Sequence, residues 1–327
     1  MTYSRTQPGD LAPKDMVDED FEIVETVGRG AFSTVYRAVQ KSEENRYVAL
    51  KLLHSGIQQS LERKEGIQPN PYVTEEELLA RLSHPAICKV HRLGITDSGR
   101  WYSAMEWVEG ETLGAVIRRH RTGLPLIAVA DIIAQLGSVL SEMHKLQVVH
   151  RDLKPANLML EGTSSRREAL TVRLLDFGLA RLAGEDDSIG GTETLLVGTP
   201  AYMSPEQARG GPIDPRSDIY SLATVAYELL TGKRPIQLDD HHIHGDDYVS
   251  YLKSDTPLPT TQATKIRTEL PEDVDDILNT GLARERHMRP ATVERFCDDL
   301  EVVLRAHAPA TPRPNLLGRA LKRLKRR

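Results

Sequence analysis

The texture of the chain changes at Glu109-Gly110, and that change limits the fold more than any other feature. Before it, apolar and β-branched residues flank the turn Gly28-Arg29-Gly30 through 21–39, an apolar run follows at 47–53, and 101–108 reads as a strand. Glycine at a turn between such runs is the pattern of an antiparallel sheet. One helical stretch joins it, at 75–82, where Leu78, Leu79 and Leu82 share a face. After Glu109-Gly110, helical periodicity dominates, over 112–119, 128–146, 218–230 and 274–282, with Gly123 and Gly232 as stops. The reading is α+β: a small antiparallel β-sheet lobe with one helix, about 21–106, then a larger mainly helical lobe, about 107–305. Residues 1–20 are polar, rich in Pro, Gly and Asp and without periodicity, and are expected to be a disordered lead-in. The stretch 238–264, rich in His, Asp, Thr and Pro, is expected to be a surface excursion with little regular structure. Residues 306–327 form a basic tail.

Charge narrows the function. The 327 residues carry 42 Lys and Arg against 47 Asp and Glu, but 313–327 holds seven basic residues and no acid. A net charge of −5 for the whole chain therefore leaves −12 on the rest. So acidic a body is unsuited to nucleic acid, whose phosphates need a basic face. The two cysteines, Cys88 and Cys297, lie far apart, which argues against a disulfide scaffold or a zinc site and fits a reducing compartment. The N-terminal stretch has no apolar h-region, and no run of 18 apolar residues occurs, so neither a secretory signal nor a membrane span is expected.

Three constellations carry chemistry. The first is Gly28-Arg29-Gly30-Ala31-Phe32-Ser33-Thr34-Val35, followed by Lys51 in Val48-Ala49-Leu50-Lys51. Glycines let backbone approach phosphates that a side chain would exclude. Alone the loop reads as well as an ordinary hairpin, and Ser33 stands where a third glycine is usual. The second is His150-Arg151-Asp152-Leu153-Lys154-Pro155-Ala156-Asn157, and the third is Asp176-Phe177-Gly178. In this order they resemble the glycine-rich loop, catalytic loop and metal-binding triplet of eukaryotic-type protein kinases. Thr192-x-Thr194 and Ser204-Pro205-Glu206-Gln207-Ala208-Arg209-Gly210 are similar to bacterial Ser/Thr kinases of the PknB type.

The resemblance spans about 21–305 and implies the bilobal protein-kinase fold, with ATP and Mg²⁺, or Mn²⁺, as cofactors. It assigns Asp152 to orient the substrate hydroxyl, Lys154 to place a charge near the transferring phosphoryl group, and Lys51 to hold the α and β phosphates. Glu75 is the implied partner of Lys51, chosen over Glu76 and Glu77 by its spacing from His84-Pro85. Asn157 and Asp176 are the implied metal ligands, hard oxygen donors suited to Mg²⁺. The adenine slot is assigned to Val27, Val35, Ala49 and Met159, with Met105 at its back and backbone groups from Glu106 to Val108; Gly28 and Gly30 face the phosphates. Within the activation segment 176–206, Ser188, Thr192 and Thr194 are candidate phosphorylation sites. Thr199 is expected to bond Asp152 or Lys154, Glu206 to pair with Arg289, and Asp218 to anchor the catalytic loop. The stretch 161–170 is expected to be an enlarged hairpin turn.

Lys154 favours Ser/Thr over tyrosine as the acceptor class. The presence of Lys51, Asp152, Asn157 and Asp176 favours catalysis over the alternative of a pseudokinase, an ATP-binding scaffold. A small-molecule kinase would not need the substrate-docking phrase 198–206. The expected partners are proteins bearing Ser or Thr, and a second copy of the chain, as a homodimer for autophosphorylation. Leu316, Leu317, Ala320, Leu321 and Leu324 fall on one helical face amid basic residues. That pattern suits an anionic membrane surface or an acidic partner, or else a solvated terminus. The expected location is cytoplasmic, peripheral at the inner membrane face.

Overall fold

The structure, a computed structural model, describes residues 10–30, 33–54, 82, 84–161, 171–175, 181–182, 200–236, 245–255 and 260–309. Chain contacts divide it into two units, one running to residue 80 and resuming at Cys88–Val108, the other comprising Arg81–Ile87 and everything from Glu109.

The first unit is a six-stranded sheet. Its strands are β1 (Met16–Val17), β2 (Phe21–Arg29), β3 (Ser33–Gln40), β4 (Arg46–Leu53), β5 (Val90–Ile95) and β6 (Trp101–Glu106), in the order β1-β2-β3-β4-β6-β5, every pair antiparallel. Strand side chains alternate faces. One face therefore collects Phe21, Ile23, Tyr36, Ala38, Val48, Leu50, Leu52, Tyr102 and Ala104 into a core. The other carries Val35, Arg37 and Val39 of β3 and Tyr47, Ala49 and Lys51 of β4, all less buried.

Residues 10–20 are ordered, unlike the lead-in expected from composition. Asp18 and Glu19, at φ 50° and 55°, turn a hairpin that pairs β1 with the edge of β2. Leu11 packs against the core, and its N–H donates to the Tyr36 hydroxyl at 3.2 Å. Asp20 accepts from the Ser42 N–H at 2.8 Å, the Ser42 hydroxyl at 2.9 Å and the Gln40 amide at 3.1 Å, and pairs with Arg92 at 3.1 Å. The segment is held by polar bonds and by the apolar side chains of Leu11 and Val17 on the core, so its composition conceals its order.

The second unit opens with β7 (Gly110–Thr112) and α1 (Leu113–Arg119), whose first turn is capped by the Thr112 hydroxyl. Then come α2 (Leu126–Lys145), β8 (Val148–Val149), β9 (Leu158–Glu161), β10 (Thr171–Leu174) and β11 (Arg181–Leu182). The remaining helices among the described residues are α3 (Pro205–Arg209), α4 (Arg216–Thr231), α5 (Gly245–Lys253), α6 (Ala263–Ile266), α7 (Asp273–Gly281) and α8 (Val293–His307). β10-β9-β7 form a small sheet and β11 pairs with β8. Helix α2 is apolar enough for a membrane span, at mean hydropathy 1.6, yet 61% of that window is buried in the unit. It packs along α8 at Gly137, where a Cβ would come within 2.6 Å of the Cys297 sulfur. Gly123 and Gly232 end their segments at φ 89° and 72°, and a side chain at either would strike backbone carbonyls.

The expected surface excursion at 238–264 contains α5 and the start of α6. Tyr248, Val249 and Leu252 bury one side of α5, while Arg209 and Arg284 donate to the carbonyls of Tyr251, Leu252, Lys253 and Ser254 at its C-terminal end. Apolar residues spaced three and four apart, rather than overall composition, explain that helix.

Burial by itself would raise the Asp20 pKa, but the donors from Ser42 and Gln40 and the charge of Arg92 hold it below the ordinary 3.8. A depressed native pKa gives stability that is present at neutral pH and lost as pH falls through the native value. Asp20→Ala should lower Tm by about 5 °C at pH 7. In melts followed by circular dichroism, the gap from the parent should narrow below pH 3.8.

Candidate active site

The residues expected to act fall on both units. On the first unit, strand register gathers the nucleotide-facing candidates. Val35 lies opposite Lys51, Ala49 opposite Met105, and Gly28 opposite Val35, so these positions share one face of the sheet. A register irregularity between Thr26 and Gly28 frees Val27 to stand out, 52% exposed. The turn closes with the Gly30 N–H donating to the Ser33 carbonyl at 2.8 Å. A Cβ at Gly28 would meet no described atom within 4 Å, so packing among the described residues does not demand glycine there, and the position is open to close approach by a ligand. Glu106 spends its N–H on the Lys89 carbonyl at 2.8 Å, and its own carbonyl accepts from the Cys88 thiol at 3.3 Å. Met105 and Val108 are buried.

On the second unit, the catalytic-loop candidates are built around Asp218, in the first turn of α4. This fully buried carboxylate accepts from the His150 N–H at 2.9 Å, the Arg151 N–H at 3.0 Å and the His144 ring at 2.8 Å. Burial alone would raise its pKa, but these partners hold the group below the ordinary carboxylate value, so it stays charged. Arg151 adopts φ 66°, a left-handed conformation that costs a residue with a side chain. Its carbonyl accepts from the Gln207 amide at 2.8 Å, and the next N–H, of Asp152, donates to His150 Nδ1 at 3.2 Å.

From this turn Asp152 projects half-exposed. Lys154 Nζ donates to both its oxygens, at 2.8 and 2.7 Å, and Asn157 Nδ2 donates to its carbonyl and carboxylate at 3.0 Å each. Pro155–Asn157 form a single 3₁₀ turn that delivers Asn157 back to Asp152, and the Leu175 N–H donates to the Asn157 carbonyl at 3.0 Å. With its nitrogen committed to Asp152, Asn157 presents its amide oxygen, a hard donor that fits Mg²⁺. Met159, on β9, lies on the face opposite the buried Leu158 and Leu160. Glu75, Asp176, Ser188, Thr192, Thr194, Thr199 and the stretch 162–170 lie outside the described residues.

The segment expected to dock substrate ends on a buried ion pair. Arg289 donates to both oxygens of Glu206 at 2.7 Å, and its other N–H groups reach the carbonyls of Ala283, Arg284 and Arg216. Burial would raise the Glu206 pKa, but Arg289 and the Ser217 hydroxyl keep it low. Two contacts went unread in the sequence, His144 on Asp218 and Gln207 on Arg151, because each joins residues more than fifty positions apart.

The second unit thus brings a carboxylate, a lysine and an amide together on one loop, and the first separately sets a lysine and glycines on one sheet face. The protein kinase domain profile matches residues 21–299. The chain is 33% identical over 287 residues to the serine/threonine-protein kinase pkn3 of Myxococcus xanthus, covering 86% of this chain and 50% of the relative. It is 31% identical over 308 residues to the serine/threonine-protein kinase PknB of Mycobacterium leprae, covering 91% and 45%. A crystal structure of the Mycobacterium tuberculosis PknI kinase domain superposes at TM-score 0.68 with 25% identity, covering 90% of this chain and 99% of that one. The chain belongs to the protein kinase family. It spans about half the length of the curated relatives it matches.

Removing one partner of a buried ion pair leaves an uncompensated charge, at about 3–5 kcal/mol. Arg289→Leu should therefore lower unfolding stability by about that amount in urea titrations. Glu206→Gln added to Arg289→Leu should recover part of the loss.

Proposed function

We propose that this chain is a Ser/Thr protein kinase, transferring the γ-phosphoryl group of ATP to Ser and Thr hydroxyls of proteins, including its own activation segment, in bacterial signalling. The observation that carries the reading is the Asp152 carboxylate, bonded by Lys154 and Asn157 on a loop fixed by Asp218. Phosphoryl transfer needs positioning and charge neutralisation more than covalent chemistry. Asp152 accepts a hydrogen bond from the incoming hydroxyl and aims its oxygen at the γ-phosphorus. As the new P–O bond forms and the bond to the β–γ bridging oxygen breaks, the hydroxyl proton passes toward Asp152 and ADP leaves. Lys154 exchanges its contact with Asp152 for the charge gathering on the transferring group, and Lys51 holds the α and β phosphates with Glu75 as its support. Asn157 and Asp176 would hold Mg²⁺, which when bound neutralises phosphate charge. Val27, Gly28, Gly30, Val35, Ala49, Met105, Glu106, Val108 and Met159 seat the nucleotide.

The Ser/Thr assignment is supported by Lys154 within the loop, by the phrase 198–206 and by the likeness to the serine/threonine-protein kinases pkn3 and PknB. A second copy of the chain as autophosphorylation partner follows from Thr192 and Thr194 in the activation segment. The basic stretch 313–327, with its apolar helical face, supports a peripheral place at the inner face of a membrane, or an acidic partner, and the scarcity of cysteine supports a cytoplasmic location.

Incubation with Mg-ATP followed by intact mass spectrometry should add increments of about 80 Da to the parent. Asp152→Asn should slow the addition about 10²–10⁴-fold with ATP binding retained. Equal labelling of both would sink the reading; ATP binding without label in either would favour the scaffold alternative.

A further inference from the structure

Gln207 occupies the third position of α3, where a side-chain oxygen alone would complete a capping box. Its Oε1 accepts from the Ser204 N–H at 3.1 Å and the Ser204 hydroxyl at 3.0 Å, and its own N–H donates back to that hydroxyl at 3.4 Å. Glutamate makes the same reciprocal cap, and its charge near a helix N-terminus is favourable. Capping therefore gives no reason for an amide in place of a carboxylate. The second end of the side chain does. With the oxygen fixed by two donors, the amide nitrogen is turned to the Arg151 carbonyl at 2.8 Å, and the whole residue is 3% exposed.

That carbonyl belongs to the peptide bond between Arg151 and Asp152. The N–H of the same peptide donates to His150 Nδ1, and Arg151 before it sits at φ 66°. Rotating this peptide unit would swing the Asp152 side chain, and the left-handed residue gives it a reason to relax. Asp218 holds the two N–H groups ahead of it. Gln207 holds the carbonyl.

We propose that Gln207 is a positioning residue for Asp152: it pins the Arg151–Asp152 peptide and ties the helix that ends the substrate-docking segment to the catalytic loop. The inference rests on the reading of Asp152 as the group that orients the substrate hydroxyl. Its effect falls on turnover, because the bond touches neither the nucleotide-facing sheet nor the docking backbone itself.

The test compares Gln207→Glu and Gln207→Met with the parent, all as the full chain, assaying phosphate transfer to a Thr-containing substrate protein, trinitrophenyl-ATP binding and Tm. Gln207→Glu keeps the cap and loses the donor, so kcat should fall about ten- to a hundredfold, the scale of a small misplacement of a reacting group. Its KM for ATP and trinitrophenyl-ATP affinity should stay within about twofold of the parent, while its Tm falls, because a carboxylate oxygen would face the Arg151 carbonyl in a site closed to water. Gln207→Met, which loses both ends without burying a charge, should match it in kcat and melt higher than Gln207→Glu. A residue that only capped α3 would give the opposite order, with Gln207→Glu at parental kcat, and that result overturns the proposal. So does a fall in kcat that tracks Tm in both variants. A parent that binds trinitrophenyl-ATP and transfers nothing overturns the kinase reading and this one together, whereas an active parent matched by Gln207→Glu overturns the role of Gln207 alone.

Discussion

The catalytic loop depends on one buried carboxylate. Asp218 has no solvent contact, and an ion in that setting is tolerated only when its oxygens are fully bonded. Here the bonds come from His144 on α2 and from two successive loop N–H groups, so the cost of burying the charge is offset only in one loop conformation. Shifting the loop would break charge-assisted bonds in a low-dielectric surround, where they are strongest. The left-handed Arg151 is a local cost that this arrangement can carry.

A second buried charge does the same for the substrate-docking end. Arg289 is buried, and all five of its donors find acceptors, two on Glu206 and three on backbone carbonyls. Ser217, which bonds Glu206, is the neighbour of Asp218 at the start of α4, so the two charged anchors share one helix end. The rest of α4 is buried almost throughout, which gives both anchors a rigid base. Apolar packing builds the platform, and two satisfied ions place the loops on it.

Much of this was legible from contiguous residues. His150 to Asn157 could be read because phosphoryl chemistry demands particular groups at fixed spacing on one loop, and the resemblance those groups carry anticipated Asp218 and the Glu206–Arg289 pair. The helices α1, α2, α4 and α7 were legible from periodicity. Helix α8 carries the same signal, with buried Val293, Phe296, Cys297, Leu300 and Leu304 one, three or four apart and Asp298, Asp299 and Glu301 between them. The order of residues 10–20 was hidden: it rests on Asp20 and Leu11 meeting partners twenty or more positions away. Contacts of that kind, Gln207 on Arg151 and His144 on Asp218 among them, leave no local pattern.

Burial sorts the polar groups by task. The side chains of Asp218 and Arg289 are 0% exposed, whereas those of Asp152 and Lys154 are 29% and 21% exposed. On the proposed reading of Asp152, a substrate hydroxyl reaching it has to displace part of the Lys154 contact. Exchanging a partly exposed pair costs about 1 kcal/mol or less, against about 3–5 for breaking a buried one. On that reading the bonds that catalysis must remake are the weak ones, and the bonds that hold the loop are the buried ones. Had Asp152 been buried like Asp218, its pairing with Lys154 would have resisted the substrate; had Asp218 been exposed like Asp152, water would have competed for the N–H groups that set the loop.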